Sequence, residues 1–155
     1  LSELESGGMM ATGEPEVVAD RGAAVTWGGR RLPGVWLTDR AVRLAVERAP
    51  TYGTATVVIR ESHHIGCLAA FLQTATDKGL MLTIASSDPA VASVAPFGGR
   101  KAVFTPDPLA VGIPTDGEPI LIDISASITT NGMANRLRRE GKRFPGSGWR
   151  SWWKR

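Results

Sequence analysis

The chain holds a single cysteine, Cys67, among 155 residues. One thiol excludes an internal disulfide framework and any multi-cysteine zinc site, and it makes a reducing, cytoplasmic setting the expectation. No stretch approaches 18 consecutive apolar residues, which excludes a membrane-spanning helix. The opening LSELESGGMM has no cationic segment followed by an apolar run, so no signal peptide is read there. Three phosphate or nucleophile signatures are also missing. There is no G-x-G-x-x-G after a strand, no G-x-x-x-x-G-K-[ST] and no G-x-S-x-G. A standard Rossmann fingerprint, a Walker A loop and a hydrolase elbow are thereby excluded. Internal repeats and a collagen-like period are absent as well.

What is present is ordinary for a globular fold: 43% hydrophobic and 21% charged residues. The length suits one domain or a piece of a larger one. The net charge of +3 conceals a division. Residues 136–155 carry eight Lys/Arg against one acid, Glu140, and are +7; residues 1–135 carry ten against fourteen and are −4. A nucleic-acid partner would therefore rest on the basic tail alone. Three of the five tryptophans lie in that tail, Phe144-Pro-Gly-Ser-Gly-Trp-Arg-Ser-Trp-Trp-Lys-Arg155, which has no helical or strand period. Residues 1–143 are read as the domain and 144–155 as an appendage.

Along the body, a helix end over residues 1–15 leads to two β-like runs, Val17–Ala19 and Ala23–Trp27, split by Asp20-Arg21-Gly22. Thr38 or Asp39 is expected to cap a helix to about Ala49, which Pro50 and Gly53 end. Thr54–Ile59 reads as a strand. Leu68, Ala69, Phe71, Leu72 and Ala75 mark the apolar face of a helix with Gly79 past its end. Leu80–Ala85 reads as a buried strand, followed by a Pro/Gly-rich loop to Arg100. Strands are predicted near Ala110–Ile113 and Ile120–Ile124, and a helix from after Ser127 to about Glu140. The order predicts a mixed α/β or α+β fold.

The only two histidines stand in Ser62-His63-His64-Ile65-Gly66, where a strand gives way to a helix. An imidazole at such a turn can exchange a proton near neutral pH with a bound carboxylate or carbonyl. On pattern alone the stronger expectation is that both histidines are loop-structural, making hydrogen bonds or lying exposed. A Ser62–His64 nucleophile pair lacks an orienting acid. A metal site would need both histidines plus Asp88 or Asp123, without the usual ligand spacing. Cys67 reads as a small apolar core residue, with an activated thiolate at a helix start as the alternative. Asp123 reads as a helix cap or a ligand contact.

Taken in order, S-H-H-I-G (62–66), a helix, Gly79 and a strand, S-S-D-P (86–89), A-P-F-G-G (95–99), T-P-D-P-L-A-V-G-I-P (105–114) and I-L-I-D-I-S-A-S (120–127) resemble the malate/L-lactate dehydrogenase family. The resemblance spans about residues 1–146. It implies a non-Rossmann α/β fold that binds NAD or NADP, in agreement with the missing glycine fingerprint. It further implies an oxidoreductase of small 2-hydroxy or 2-oxo acids, typically a homodimer, with no membrane partner. The family's S-x-H-x-G histidine, the proposed proton-transfer residue, falls on His64, and Ser62 matches the motif serine. Ser87, Asp88 and Pro89 match a segment lining the nucleotide or substrate cleft. Thr105 falls in the family's G-T-N-P segment, with departures around it. Asp123, Ile124 and Ser125 match a cofactor-contacting segment. The family also has an N-terminal S-H-G region and a C-terminal Lys/Gly-rich motif that this sequence does not contain, so a fragment lacking both ends is expected, as a truncated or frameshifted gene would produce. Two other readings stay open: a non-catalytic remnant or interaction module of the same fold, and a nucleic-acid or anionic-surface binder acting through the Arg/Trp tail.

Overall fold

A computed structural model describes residues 2–88, 92–127 and 129–142. The appended segment 144–155 and Pro89 lie outside the described residues. A single-turn helix, α1 (Ser2–Glu5), precedes two antiparallel strands, β1 (Glu16–Asp20) and β2 (Ala24–Gly28). Their turn is built by side-chain chemistry at Asp20, whose carboxylate accepts the Gly22 N–H at 3.0 Å. Gly22 has φ +73, a left-handed value that a glycine adopts without a β-carbon penalty. The register steps by one residue between Val17 and Ala19, a bulge that leaves Val18 unpaired with any single partner.

A long helix, α2 (Gly34–Tyr52), follows β2, and strand β3 (Thr56–Arg60) then runs parallel to β2, with Ala24 opposite Thr56 and Gly28 opposite Arg60. The first sheet is therefore β1-β2-β3, and β2-α2-β3 is a crossover unit. Leu37, Thr38, Ala41, Val42 and Val46 form the buried stripe of α2 at the helical repeat. Val25, Trp27 and Ala41 make a core with Leu44, Val57 and Ile59 packed on it. Burying a side chain such as Leu37, wholly excluded from water, stabilises by roughly 1.5–3 kcal/mol.

The start of α2 differs from the expected Thr38 or Asp39. Pro33 is the N-cap, with its φ fixed at −54, and its carbonyl accepts the Leu37 N–H. Thr38 is buried, and Asp39 binds Arg43 one turn on at 2.8 Å. The helix also runs through Pro50. A proline in the last turn removes one hydrogen bond, and termination waits for Gly53 in the left-handed conformation.

Helix α3 (Ala69–Thr76) packs on α2. Leu68, Leu72 and Ala75 are buried, and Gly79 closes the following turn by donating to the Thr76 carbonyl. Strands β4 (Leu82–Ala85), β5 (Leu109–Ile113) and β6 (Ile120–Ile124) form a second sheet in the order β4-β5-β6. The buried strand expected over Leu80–Ala85 is instead exposed at Thr83 and Ala85 and only half buried at Leu82 and Ile84. β6 is exposed along its whole length, including Ile120, Leu121, Ile122 and Ile124. Helix α4 (Asn131–Arg139) starts from Thr130, whose hydroxyl accepts the Met133 N–H at 3.1 Å. Among the described residues no helix is long and apolar enough to cross a membrane.

By contacts the chain divides into two units, Leu1–Thr83 with Val111–Ile122, and Ile84–Ala110 with Asp123–Arg155. In the first, Gly112 lets β5 approach α3 closely: a β-carbon there would meet Leu72 and Thr76 at 3.0 Å. In the second, Val94, Ala95, Ala110 and Ala134 are buried, and Val94 bridges to Phe104.

Candidate active site

Two loops leave the carboxyl ends of the parallel pair β2 and β3, the side of an α/β unit where ligands commonly bind. They are residues 29–33 and 61–67. Three backbone bonds stitch them together: Gly29 N–H to the Arg60 carbonyl at 2.7 Å, Arg31 N–H to the Glu61 carbonyl at 2.7 Å, and His63 N–H to the Leu32 carbonyl at 3.1 Å. The ladder of the sheet is thus continued past the ends of its strands. Arg30, Arg31 and Glu61 all adopt left-handed backbone, with φ of 52, 58 and 57. Such residues cost about 1 kcal/mol or more each and persist where their surroundings over-determine them.

Glycine makes the approach of the two loops possible. A β-carbon on Gly29 would stand 2.9 Å from Leu37 and 3.0 Å from the Arg60 carbonyl oxygen. On Gly34 it would stand 2.0 Å from the His63 carbonyl oxygen and 2.7 Å from that of His64. The first residue of α2 is therefore pressed against the backbone of both histidines.

His64 is exposed, whereas His63 is half buried with its Nε2 3.8 Å from a carboxylate oxygen of Glu3. Ser62 is exposed beside them. The histidines do not sit at a helix start, as the sequence suggested. Residues 62–67 belong to neither helix nor strand, with Gly66 left-handed at φ 74, and α3 begins only at Ala69, after Leu68, which offers no side-chain cap. Cys67 is exposed, which overturns its reading as a core residue. Among the described residues no group of three His, Cys, Asp or Glu side chains is placed to hold a metal ion.

The other candidate residues belong to the second unit. Ser86 N–H donates to the Pro108 carbonyl at 3.1 Å, and Ala126 N–H donates to the Pro106 carbonyl at 2.7 Å. The carboxyl ends of β4 and β6 thus flank the entry to β5. This brings Ser87–Asp88, Thr105 and Asp123–Ile124–Ser125 to one end of one sheet. Ser87, Asp88, Asp123 and Ile124 are exposed there, and Thr105 and Ser125 are half buried. The Ser125 hydroxyl donates to the Ser127 carbonyl at 3.0 Å. Asp123 lies within β6, so it is not a helix cap; Thr130 performs that role for α4.

Hydroxyls and carboxylates exposed at a sheet end are the donor and acceptor set that ribose hydroxyls require. That chemistry fits a pyridine dinucleotide, and the absence of a glycine fingerprint is no obstacle to it. Gly34 and the left-handed loop residues escaped the sequence reading. Their one local signal is Pro33-Gly34, a dipeptide that marks a chain reversal and stands ahead of the stronger capping types Thr38 and Asp39.

A family model for malate/L-lactate dehydrogenase matches residues 1–150. L-sulfolactate dehydrogenase from Methanothermobacter thermautotrophicus is 28% identical over 143 residues, 92% of this chain and 41% of that protein. The Delta(1)-pyrroline-2-carboxylate/Delta(1)-piperideine-2-carboxylate reductase of Pseudomonas syringae pv. tomato is 32% identical over 151 residues, 94% of this chain and 42% of that protein. Among solved structures, a dehydrogenase from Sinorhizobium meliloti superposes with a TM-score of 0.83 at 30% identity, covering 93% of this chain and 42% of the other. Malate dehydrogenase from Entamoeba histolytica gives 0.81 at 27% identity, covering 92% and 39%. The chain spans about two fifths of the length of these relatives. With the matched model extending over nearly every residue, the chain belongs to the malate/L-lactate dehydrogenase family.

Proposed function

We propose that this chain carries the proton-transfer loop and part of the dinucleotide site of an NAD(P)-dependent dehydrogenase acting on small 2-hydroxy or 2-oxo acids. The observation that carries the reading is His64: an exposed imidazole at the carboxyl end of a parallel strand pair, on a loop whose backbone is clamped by Gly29 and Gly34. In reduction, a protonated His64 donates a ring N–H proton to the substrate oxygen; in oxidation a ring nitrogen accepts the hydroxyl proton. The clamp limits the freedom of the His64 backbone, so less conformational entropy is lost when the ring engages substrate. Positioned acid–base help of this kind is worth roughly 10²–10⁴-fold. Ser62 binds substrate beside His64, and Thr105 is a second substrate contact. Ser87, Asp88, Pro89, Asp123, Ile124 and Ser125 hold the cofactor, with Asp88 or Asp123 accepting hydrogen bonds from ribose hydroxyls. When bound, NAD or NADP supplies or removes the hydride. The assembly is a homodimer in the cytoplasm.

The test is oxidation of malate, lactate and sulfolactate with NAD and with NADP, comparing the parent with His64→Ala and His63→Ala in the enzyme that contains this chain. A loss of at least 100-fold for His64→Ala alone supports the assignment. Equal small losses for both exclude it.

A further inference from the structure

Arg30 stands out in the stitched loops for two reasons. Its backbone is left-handed at φ 52, a conformation that asparagine or glycine would adopt at lower cost than arginine. Its exposed guanidinium has no ion-pair or hydrogen-bond partner among the described residues. Arg31, also left-handed, has an evident structural use: one Nη donates to the Gly7 carbonyl at 3.1 Å, and its own carbonyl accepts the Met10 N–H at 3.0 Å. The side chain of Arg30 has no such internal use. It lies between Gly29, bonded to Arg60 at the end of β3, and Arg31, bonded to Glu61 at the start of the His63–His64 loop. A planar fork of donors with unspent hydrogen bonds suits a carboxylate or sulfonate, which it can bind through two parallel bonds.

We propose that Arg30 is a specificity-determining residue that binds the second acidic group of the substrate, so that the site selects 2-hydroxy or 2-oxo acids carrying two negative charges over those carrying one. The inference rests on the proposed function, because it takes His64 as the residue facing the hydroxyl or carbonyl end of the same molecule. The local rigidity matters. A guanidinium on a free loop would lose much of its attraction to the entropy of being held, whereas this loop is fixed by three backbone bonds.

The experiment is a titration of the isotope-labelled 155-residue chain with malate, as the dianion, and with lactate, as the monoanion. The readouts are the His64 ring resonances and the backbone amide of Gly29, followed with and without NADH. The expected result is that malate binds at least tenfold more tightly than lactate. Arg30→Gly should bring malate to the lactate affinity, leave lactate unchanged and raise the melting temperature, because glycine relieves the left-handed backbone. Arg30→Lys should keep part of the preference through its charge. A malate-to-lactate ratio unchanged by Arg30→Gly overturns the proposal while leaving the role of His64 standing. Failure of either acid to move the His64 resonances overturns both. A fall in melting temperature together with equal weakening of both acids assigns Arg30 a structural role and also overturns the proposal.

Discussion

Gly34 and His63 are in backbone contact: a β-carbon on the first residue of α2 would lie 2.0 Å from the His63 carbonyl oxygen. No side-chain rearrangement relieves an overlap of that size, since the atom it meets belongs to the main chain. Gly34→Ala is therefore expected to push the 61–67 loop away from α2. The cost in stability should be about 1–3 kcal/mol, as for other overpacked sites. Activity in the enzyme containing this chain should fall by more than the loss of folded protein explains. Chemical denaturation and steady-state kinetics on the same variant separate the two effects.

The two histidines should respond differently to substitution. His64→Ala is expected to lower kcat by at least two orders of magnitude with the fold intact. His63 is half buried and faces Glu3 at 3.8 Å, so His63→Ala is expected to lower thermal stability slightly and leave kcat within a few fold. Glu3→Gln should reproduce the stability effect of His63→Ala and add nothing to it in the double variant, a cycle that reads the pair directly.

Acid sensitivity has an identifiable source. Arg48 grips Asp20 with both Nη atoms, at 2.6 and 2.7 Å, and also reaches the Gly22 carbonyl. Those bonds, aided by the Gly22 N–H, hold the Asp20 carboxyl down to about 2. A carboxylate that is more acidic in the folded state adds stability that is complete above its unfolded value and is lost as pH falls through the folded one. The contribution of the pair should thus be intact above about pH 4 and disappear as pH approaches 2. Asp20→Asn should flatten the slope of unfolding free energy against pH in that window, and 0.5 M salt should shrink the difference because the pair faces solvent. An unchanged slope would show that other carboxylates govern the acid limb.

Gly112 predicts a packing effect remote from the loops. Its missing side chain admits Leu72 and Thr76 of α3, each of which an alanine β-carbon would meet at 3.0 Å. Gly112→Ala is expected to destabilise by about 1–2 kcal/mol while leaving acid binding at His64 unaltered in the folded fraction. Denaturant melts and the ligand titration described above check the two halves.

Legibility in the sequence followed the strength of local signals. The β-like run at 17–19 sits inside β1, and the run at 23–27 matches β2 to within one residue at each end, because Asp20-Arg21-Gly22 specifies a turn through its own side chain. The predicted bounds of β6, Ile120–Ile124, coincide with the observed ones. Its exposure was not foreseen, since a run of Ile and Leu reads the same whether or not anything lies over it. The α2 start was missed because Thr38 and Asp39 are good capping residues by type, and only the fold reveals that one is buried and the other salt-bridged to the next turn. The ordered motifs made the family readable although each was weak alone. The contact between Gly34 and the histidine backbone was not readable, because it joins residues thirty apart through no side-chain chemistry.

Strand β6 brings a practical consequence. It is the last strand of its sheet among the described residues, it is almost wholly aliphatic, and both its faces meet water. An uncovered aliphatic edge is a template on which further extended chains can be added one after another. Concentrated samples of the 155-residue polypeptide should therefore cloud with time and bind amyloid dyes, and a single lysine at Ile122 should keep them clear.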